Sequence, residues 1–309
     1  MAYHPMKTFI AAAIQIAPVA GELSSSSIDA NLQKAVSFIE RCVADTGAAL
    51  VVLPETVTTG FSPGCSPEEL WDLVDVLPGR LTSPIQEVAK RLGVHIVHAT
   101  YERGADRGIV YNSSMIILPS GEIAGIYRKT HPFCAEMLSQ GGWVVPGNDV
   151  CVVDTELGKI GMIICFDGDF PELSRIQGIQ GAELIARPSA FLRSADIWEL
   201  TNRARAYDNH LFMVGANAVG IDPAGTIYFG NSMIVTPIAE VIARASSHEC
   251  WVSALIDPNK AMVSLTPGSS VGQPFDHLAD RNLDLLEKYS DLLKGPADTP
   301  FTFSRPGKK

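Results

Sequence analysis

Three residues of unusual type stand where apolar segments end. Val51-Val52-Leu53-Pro54-Glu55 ends in a carboxylate and Ile126-Tyr127-Arg128-Lys129 in an ammonium. Gly161-Met162-Ile163-Ile164-Cys165 ends in a thiol and runs on into Phe166-Asp167-Gly168. In sheets covered by helices, reactive groups gather at the carboxyl ends of strands, where loops leave the core. A carboxylate, an amine and a thiol brought together make a nucleophilic site: the amine lowers the thiol pKa and the carboxylate takes its proton. Singly, each has an ordinary explanation. A cysteine in an apolar strand is usually a small core residue, and a glutamate or lysine after a strand is usually solvated. The three carry weight only as a set.

The elements that must position them alternate. Short apolar runs predict strands at Phe9 to Ala17, Leu50 to Leu53, His95 to Thr100, Tyr111 to Leu118, Ile123 to Arg128, Val150 to Val153 and Lys159 to Cys165. Further strands are predicted at Leu184 to Arg187, Leu211 to Ala218, Ile227 to Thr236, Val241 to Ala245 and Trp251 to Ile256. Helical spacing marks Asn31 to Ala44, Pro171 to Gln180 and Ala195 to Asn209, and Ser83-Pro84 reads as a cap followed by a first-turn proline. Pro119-Ser120-Gly121 is a hairpin turn. The pattern is that of a mixed α/β sheet with helices packed outside. Beyond residue 264 it changes. Leu278 to Leu293 predicts one amphipathic helix with Leu285, Leu286, Tyr289, Leu292 and Leu293 on one stripe. The expected organisation is a catalytic domain over residues 1–264 and an extension over 265–309.

Composition narrows the partners. The 309 residues carry 24 Lys and Arg against 34 Asp and Glu, a net charge of −10. Such a chain repels nucleic-acid phosphates and anionic membranes, so neither is an expected partner. No apolar run approaches the ~20 residues of a membrane helix. Gln15 and Pro18 interrupt the apolar stretch after Lys7, which is therefore expected to be the first core strand rather than a secretory leader. The six cysteines form no CxxC pair and are expected to be reduced thiols of a cytoplasmic protein. His95 and His98 would point to opposite faces of a strand, which is wrong for a shared metal. His131 is an alternative partner for a thiol, less well placed than the Glu and Lys. Gly141-Gly142 lacks both the phosphate-loop and the dinucleotide pattern.

Taken together, Leu53-Pro54-Glu55, Tyr127-Arg128-Lys129 and the segment Cys165 to Glu172 resemble the three signature segments of the nitrilase superfamily of carbon–nitrogen hydrolases, in order and in spacing. The resemblance runs from about residue 9 to about residue 262. It implies a four-layer α-β-β-α sandwich, a catalytic Cys165, Glu55 and Lys129, no metal or organic cofactor, and a second glutamate after the lysine, for which Glu136 is the candidate. It implies an amidase working through a thioester, with the backbone N–H of Phe166 and Lys129 holding the oxyanion. Within the family, Phe166-Asp167 is unlike the Trp-Glu of true nitrilases. Gly168 stands where N-carbamoyl amino acid hydrolases carry an arginine. Together with Ala216-Asn217-Ala218 and Tyr228-Phe229-Gly230-Asn231-Ser232, the cysteine segment looks most like the aliphatic amidase and formamidase branch. Phe133, Trp143, Phe166 and Phe191 are candidates to line an apolar pocket for a small neutral amide, with plain core packing the other reading of Trp143. Hydrolysis of an N-carbamoyl amide or a nitrile, and a catalytically silent scaffold on the same fold, are the alternatives. The family's habit of pairing subunits predicts a homodimer or larger even oligomer, with the tail crossing to a partner.

Overall fold

The computed structural model describes residues 6–258 and 276–294. Two six-stranded sheets form its centre. The first has the order β14-β1-β2-β3-β4-β5, from strands β1 (Phe9–Gln15), β2 (Leu50–Val52), β3 (His95–Arg103), β4 (Val110–Ile117), β5 (Ile123–Arg128) and β14 (Cys250–Ile256). The second has the order β13-β12-β9-β8-β7-β6, from β6 (Val152–Thr155), β7 (Gly158–Met162), β8 (Leu184–Ser189), β9 (Phe212–Asn217), β12 (Met233–Val235) and β13 (Val241–Arg244). A separate ribbon pairs β10 (Val219–Ile221) with β11 (Ile227–Phe229). The strands at the centre of each sheet run parallel, β1-β2-β3 in one and β7-β8-β9 in the other.

Alternation along the strands explains the layers. In the first sheet Ala11, Ala13, Leu50 and Val52 point inward and pack with Ile160, Met162, Leu184 and Val214 of the second. Ala12, Ile14, Val51 and Leu53 point outward and pack with Ile28, Leu32, Ala35 and Ile39 of α1 (Ser25–Thr46) and with Ile85, Val88 and Ala89 of α3 (Ser83–Leu92). Every one of these residues is buried, so both faces of each strand read as apolar and only their sorting between two cores shows the alternation. On the far side, Leu173 of α4 (Pro171–Ile179) and Trp198 and Ala206 of α5 (Ala195–Asn209) cover the second sheet. The result is the expected α-β-β-α sandwich.

Several local expectations are corrected. Helix α1 starts six residues before Asn31, at a reciprocal cap between Ser24 and Ser27, which satisfies backbone N–H groups that would otherwise be orphaned. Thr82 rather than Ser83 is the residue before α3. Helix α2 (Pro67–Leu73) was not anticipated, although Ser66, Pro67 and Glu69 spell its capping box. Strand β7 stops at Met162, and Cys165 opens a one-turn 3₁₀ segment, Cys165–Asp169. The single strand expected over Ile227 to Thr236 is broken into β11 and β12 at Gly230 and Asn231, both of which have positive φ. The long helix expected over Leu278 to Leu293 is two short ones, α6 (Leu283–Lys288) and α7 (Ser290–Lys294). The Asp276 carboxylate accepts from the N–H groups of Leu278 and Ala279, and Asn282 accepts from Leu285 N. Those side chains hold the helix start back to Leu283, and the break between the two helices falls at Tyr289, the C-terminal cap of α6. The expected boundary at residues 264 and 265 lies outside the described residues. Among the described residues no helix is long and apolar enough to cross a membrane.

Candidate active site

The carboxyl ends of β2, β5, β7 and β8 converge at one end of the sandwich. Glu55 follows β2 and its backbone N–H donates to Ser189 O at the end of β8, 3.3 Å away, across the two sheets. Lys129 follows β5, and its backbone is held on both sides, by Asn112 O at 2.8 Å and by Gly147 N at 2.9 Å. Its ammonium donates to Glu55 Oε1 at 2.7 Å and to Glu136 Oε2 at 2.6 Å, with all three side chains fully buried. Asn112, on β4, ties the two carboxylates together: its Nδ2 donates at 2.7 Å to Glu55 Oε1 and at 2.7 Å to Glu136 Oε1. The loop that carries Glu136 closes on itself, with Phe133 N donating to Glu136 Oε2 and Glu136 N to Phe133 O, each 2.8 Å. Glu55 Oε2 takes the N–H of Ala190 at 2.8 Å.

Charge explains this connectivity. Two carboxylates and one ammonium in a dry site leave one negative charge, and each buried ion survives only because it is paired and hydrogen-bonded. Burial opposes the charge on Lys129, but Glu136 and Glu55 outweigh it and hold its pKa above the usual lysine value. Burial raises the pKa of Glu136, with Lys129 pulling the other way and Glu55 adding to the rise.

Cys165 sits against this cluster. Its backbone has φ +46, a left-handed conformation that costs a non-glycine residue about 1–3 kcal/mol. Thr56, immediately after Glu55, has the same φ. Strain at both the base and the thiol is the kind that persists only where the surroundings overdetermine it. At Cys165 they do. Asp167 Oδ2 accepts from Ile164 N at 2.9 Å and from Tyr127 Oη at 2.7 Å, and Asp167 Oδ1 accepts from His131 N at 3.0 Å. The thiol turn is thereby sewn to the lysine segment. Burial pushes the Cys165 thiol well above its usual pKa, Glu55 pushes it further, and Lys129 and Arg187 pull it back. A carboxylate and two cations thus act on the thiol in opposite senses.

The cavity at Cys165 is lined by Phe61, Phe133, Phe166, Ala190, Phe191, Leu192 and Arg193 and measures about 10 Å³, just enough for one water. Of the aromatic residues expected there, Phe133, Phe166 and Phe191 are brought together, Phe133 edge-on to Phe166 at 5.4 Å. Trp143 is not. It packs edge-on to Tyr101 at 6.1 Å against the outer core of the first sheet, behind Glu136. Apolarity near a motif in the chain does not say which side of the backbone a ring occupies. Asn217, singled out in the sequence, clamps Phe191 from both sides, accepting from its N–H at 2.7 Å and donating to its carbonyl at 3.1 Å.

Sequence reasoning missed Asn112, Asp167, Arg187 and Arg193. Asn112-Ser113-Ser114 in an otherwise apolar strand was a readable signal for the first. Arg193 stacks over Phe166 at 5.2 Å and Phe191 at 4.7 Å while pairing with Asp169. His131, weighed as a thiol partner, instead contacts Asp167 at 3.0 Å and stacks on Phe170. His95 and His98 are buried three residues apart in β3, and no cluster able to hold a metal ion occurs among the described residues.

Residues 10–261 match the carbon–nitrogen hydrolase family. The human omega-amidase NIT2 is 31% identical over 262 residues, covering 82% of this chain and 91% of that one. The structure is similar to that of Nit3 from Saccharomyces cerevisiae, a member of branch 10 of the nitrilase superfamily, with a TM-score of 0.71, 26% identity and coverage of 82% and 91%. It is also similar to a carbon–nitrogen hydrolase from Helicobacter pylori G27, with a TM-score of 0.75, 25% identity and coverage of 93% and 99%. With the strand-end thiol, its carboxylate and its lysine in one buried cluster, the chain belongs to the carbon–nitrogen hydrolase family of the nitrilase superfamily and is an amidase-type hydrolase of carbon–nitrogen bonds other than peptide bonds.

Proposed function

We propose that the protein hydrolyses a small neutral primary amide to a carboxylic acid and ammonia through a Cys165 thioester. The observation that carries this reading is the Cys165 thiol set in one buried cluster with Glu55, a carboxylate already hydrogen-bonded by Lys129 and Ala190 N. Attack of Cys165 Sγ on the carbonyl carbon passes the thiol proton to Glu55, so no free thiolate has to form in the dry site. Lys129 uses two of its three N–H bonds on Glu55 and Glu136 and has one left for the carbonyl oxygen, which becomes the oxyanion. The backbone N–H of Phe166 is the second donor. Glu55 then protonates the leaving amine, and the C–N bond breaks as the tetrahedral adduct collapses to the thioester. A water, deprotonated by Glu55, hydrolyses it and returns the proton to Sγ. Glu136 holds Lys129 in place throughout.

The narrow, mostly aromatic cavity supports a small acyl group. Its one cation, Arg193, is already matched by Asp169, which supports a neutral one. Arg193 also favours a second reading, an amide with a carboxylate at its far end that would compete with Asp169 for the guanidinium. Ammonia release over a panel of neutral amides, carboxylate-bearing amides, nitriles and N-carbamoyl acids decides. Fastest turnover of a neutral amide is expected. Fastest turnover of a carboxylate-bearing amide selects the second reading, and fastest turnover of nitriles or carbamoyl acids rejects both.

The protein is further proposed to work as a homodimer or larger even oligomer in the cytoplasm. Ile176 and Ile179 of α4 and Ile197 and Leu200 of α5 are exposed on two helices that pack against each other, an apolar set of the kind a second copy covers. Light scattering at micromolar concentration is expected to give at least twice the 33.2 kDa chain mass, and a monomer there refutes the assembly.

A further inference from the structure

Arg187, on β8, is a fully buried guanidinium pointing at the nucleophile's turn from below. Its Nε and Nη2 donate to the carbonyl oxygen of Cys165 at 3.0 and 2.6 Å, and its Nη1 donates to Thr201 Oγ1 at 2.9 Å and Asn202 Oδ1 at 3.1 Å on α5. Its ring neighbour is Trp198, 4.7 Å from the guanidinium carbon. The nearest carboxylate, Asp169, is 3.9 Å away and engaged by Arg193. A buried arginine spending two N–H groups on one backbone carbonyl, rather than on a carboxylate, is unusual on desolvation grounds.

The carbonyl it grips belongs to the same peptide unit as the N–H of Phe166. We propose that Arg187 is a positioning residue that works through this peptide: it locks the left-handed turn at Cys165 and polarises the amide so that the Phe166 N–H is aimed and strengthened as an oxyanion donor. The inference rests on the thioester reading above and adds a residue to it. Hydrogen bonds in a chain polarise one another, and a charged donor on the oxygen makes the N–H of the same amide a better donor. The turn is built around the guanidinium. A Cβ placed on Gly168 would collide with Arg187, so the glycine three residues after the cysteine leaves room for this cation rather than merely lacking a side chain for substrate. The second consequence is electrostatic. Arg187 sets a second buried cation, beside Lys129, against the buried carboxylates of Glu55, Glu136 and Asp167.

The test compares Arg187→Met, Arg187→Lys and Gly168→Ala with the wild type. Turnover is measured on the best amide of the panel. The pH dependence of iodoacetamide alkylation at the Cys165 peptide is followed by mass spectrometry, which needs no substrate and so separates this idea from the amidase reading. The groups that face the thiol are Glu55, Lys129 and Arg187, and those that face Arg187 are Cys165, Asp169, Arg205 and Asp167. In Arg187→Met, kcat is expected to fall roughly 10- to 100-fold, less than the 10²–10³ of deleting an oxyanion donor outright, with KM within about threefold. The alkylation midpoint moves to higher pH, because a cation that favours thiolate is gone. Arg187→Lys restores the midpoint but not the two-point grip, so kcat recovers only in part. Gly168→Ala, which displaces the guanidinium without removing it, also lowers kcat and raises the midpoint, and it serves if Arg187→Met fails to fold. A folded Arg187→Met with wild-type kcat, or one whose kcat falls while the alkylation profile stays in place, overturns the proposal. So does a fully active Gly168→Ala.

Discussion

The two halves of the site are held by different forces. On the first sheet Glu55, Asn112, Lys129 and Glu136 fix one another through side-chain charge, with every link between 2.6 and 2.8 Å. On the second sheet Cys165 is fixed by its backbone: a left-handed φ, a carbonyl gripped by Arg187 and a turn pinned by Asp167. The difference follows from the chemistry each half performs. A base and an electrostatic donor must keep their charges in a dry place, which only opposite charges and hydrogen bonds allow. A nucleophile must present a free lone pair, so its side chain has to be left uncommitted and the main chain does the positioning.

That contrast can be broken at four points. The largest effect is at the thiol itself. Cys165→Ala removes no support from either half, so the fold persists while kcat drops at least ~10⁴-fold and no acyl-enzyme mass is trapped. Near-normal turnover in that variant ends the thioester mechanism. Next is the base. Glu55→Gln is expected to lower kcat about 10³-fold, within the range of general-base deletions. Its alkylation profile at Cys165 shifts to lower pH, because the Glu55 charge raises the thiol pKa and is now absent. The shift is opposite in sign to that of Arg187→Met, and equal shifts of one sign in both would contradict the charge assignment.

The third point concerns stability on the charged half. His98, buried in β3 with its Nε2 3.2 Å from Leu81 O, is pushed by burial down to about 4. Below the ordinary histidine value the unfolded chain takes a proton that the folded chain refuses. Stability present above pH ~6.5 is therefore lost as pH falls towards ~4, by about 3 kcal/mol in full. His98→Gln, which cannot titrate, should flatten that part of the curve in urea unfolding, and an unchanged slope would show that His98 does not set it. The smallest effect is at the strut between the carboxylates. Asn112→Ala leaves both with their other donors, so a loss of roughly tenfold in kcat with little change in KM is expected from a slightly displaced base. A loss as large as that of Glu55→Gln would mean that Asn112 touches the substrate.

How much of this was legible follows the same division. Glu55, Lys129 and Cys165 stood out because each breaks an apolar run at its end, and the buried parallel strands announced themselves as continuous apolar segments. The backbone half was less visible. Nothing in the run from Ile163 to Asp167 says that β7 ends at Met162 or that Cys165 is left-handed, because those features come from partners far along the chain such as Arg187 and Tyr127. Arg187 itself reads as a surface residue at the end of a strand. Trp143 failed as a pocket residue because sequence proximity to Glu136 does not choose between the two faces of a loop. At the far end, the stripe from Leu285 to Leu293 looked like one helix because periodicity does not register the break at Tyr289, nor the Asp276 and Asn282 side chains that hold the helix start back to Leu283.

The lining beside Cys165 bears on what can take the acyl group. Phe133, Phe166 and Phe191 present rings and few hydrogen-bonding groups, so apart from Glu55 little in that wall distinguishes water from another small nucleophile. A thioester held against those rings is open to any nucleophile that Glu55 can deprotonate, and added hydroxylamine is expected to divert part of the acyl group to a hydroxamate.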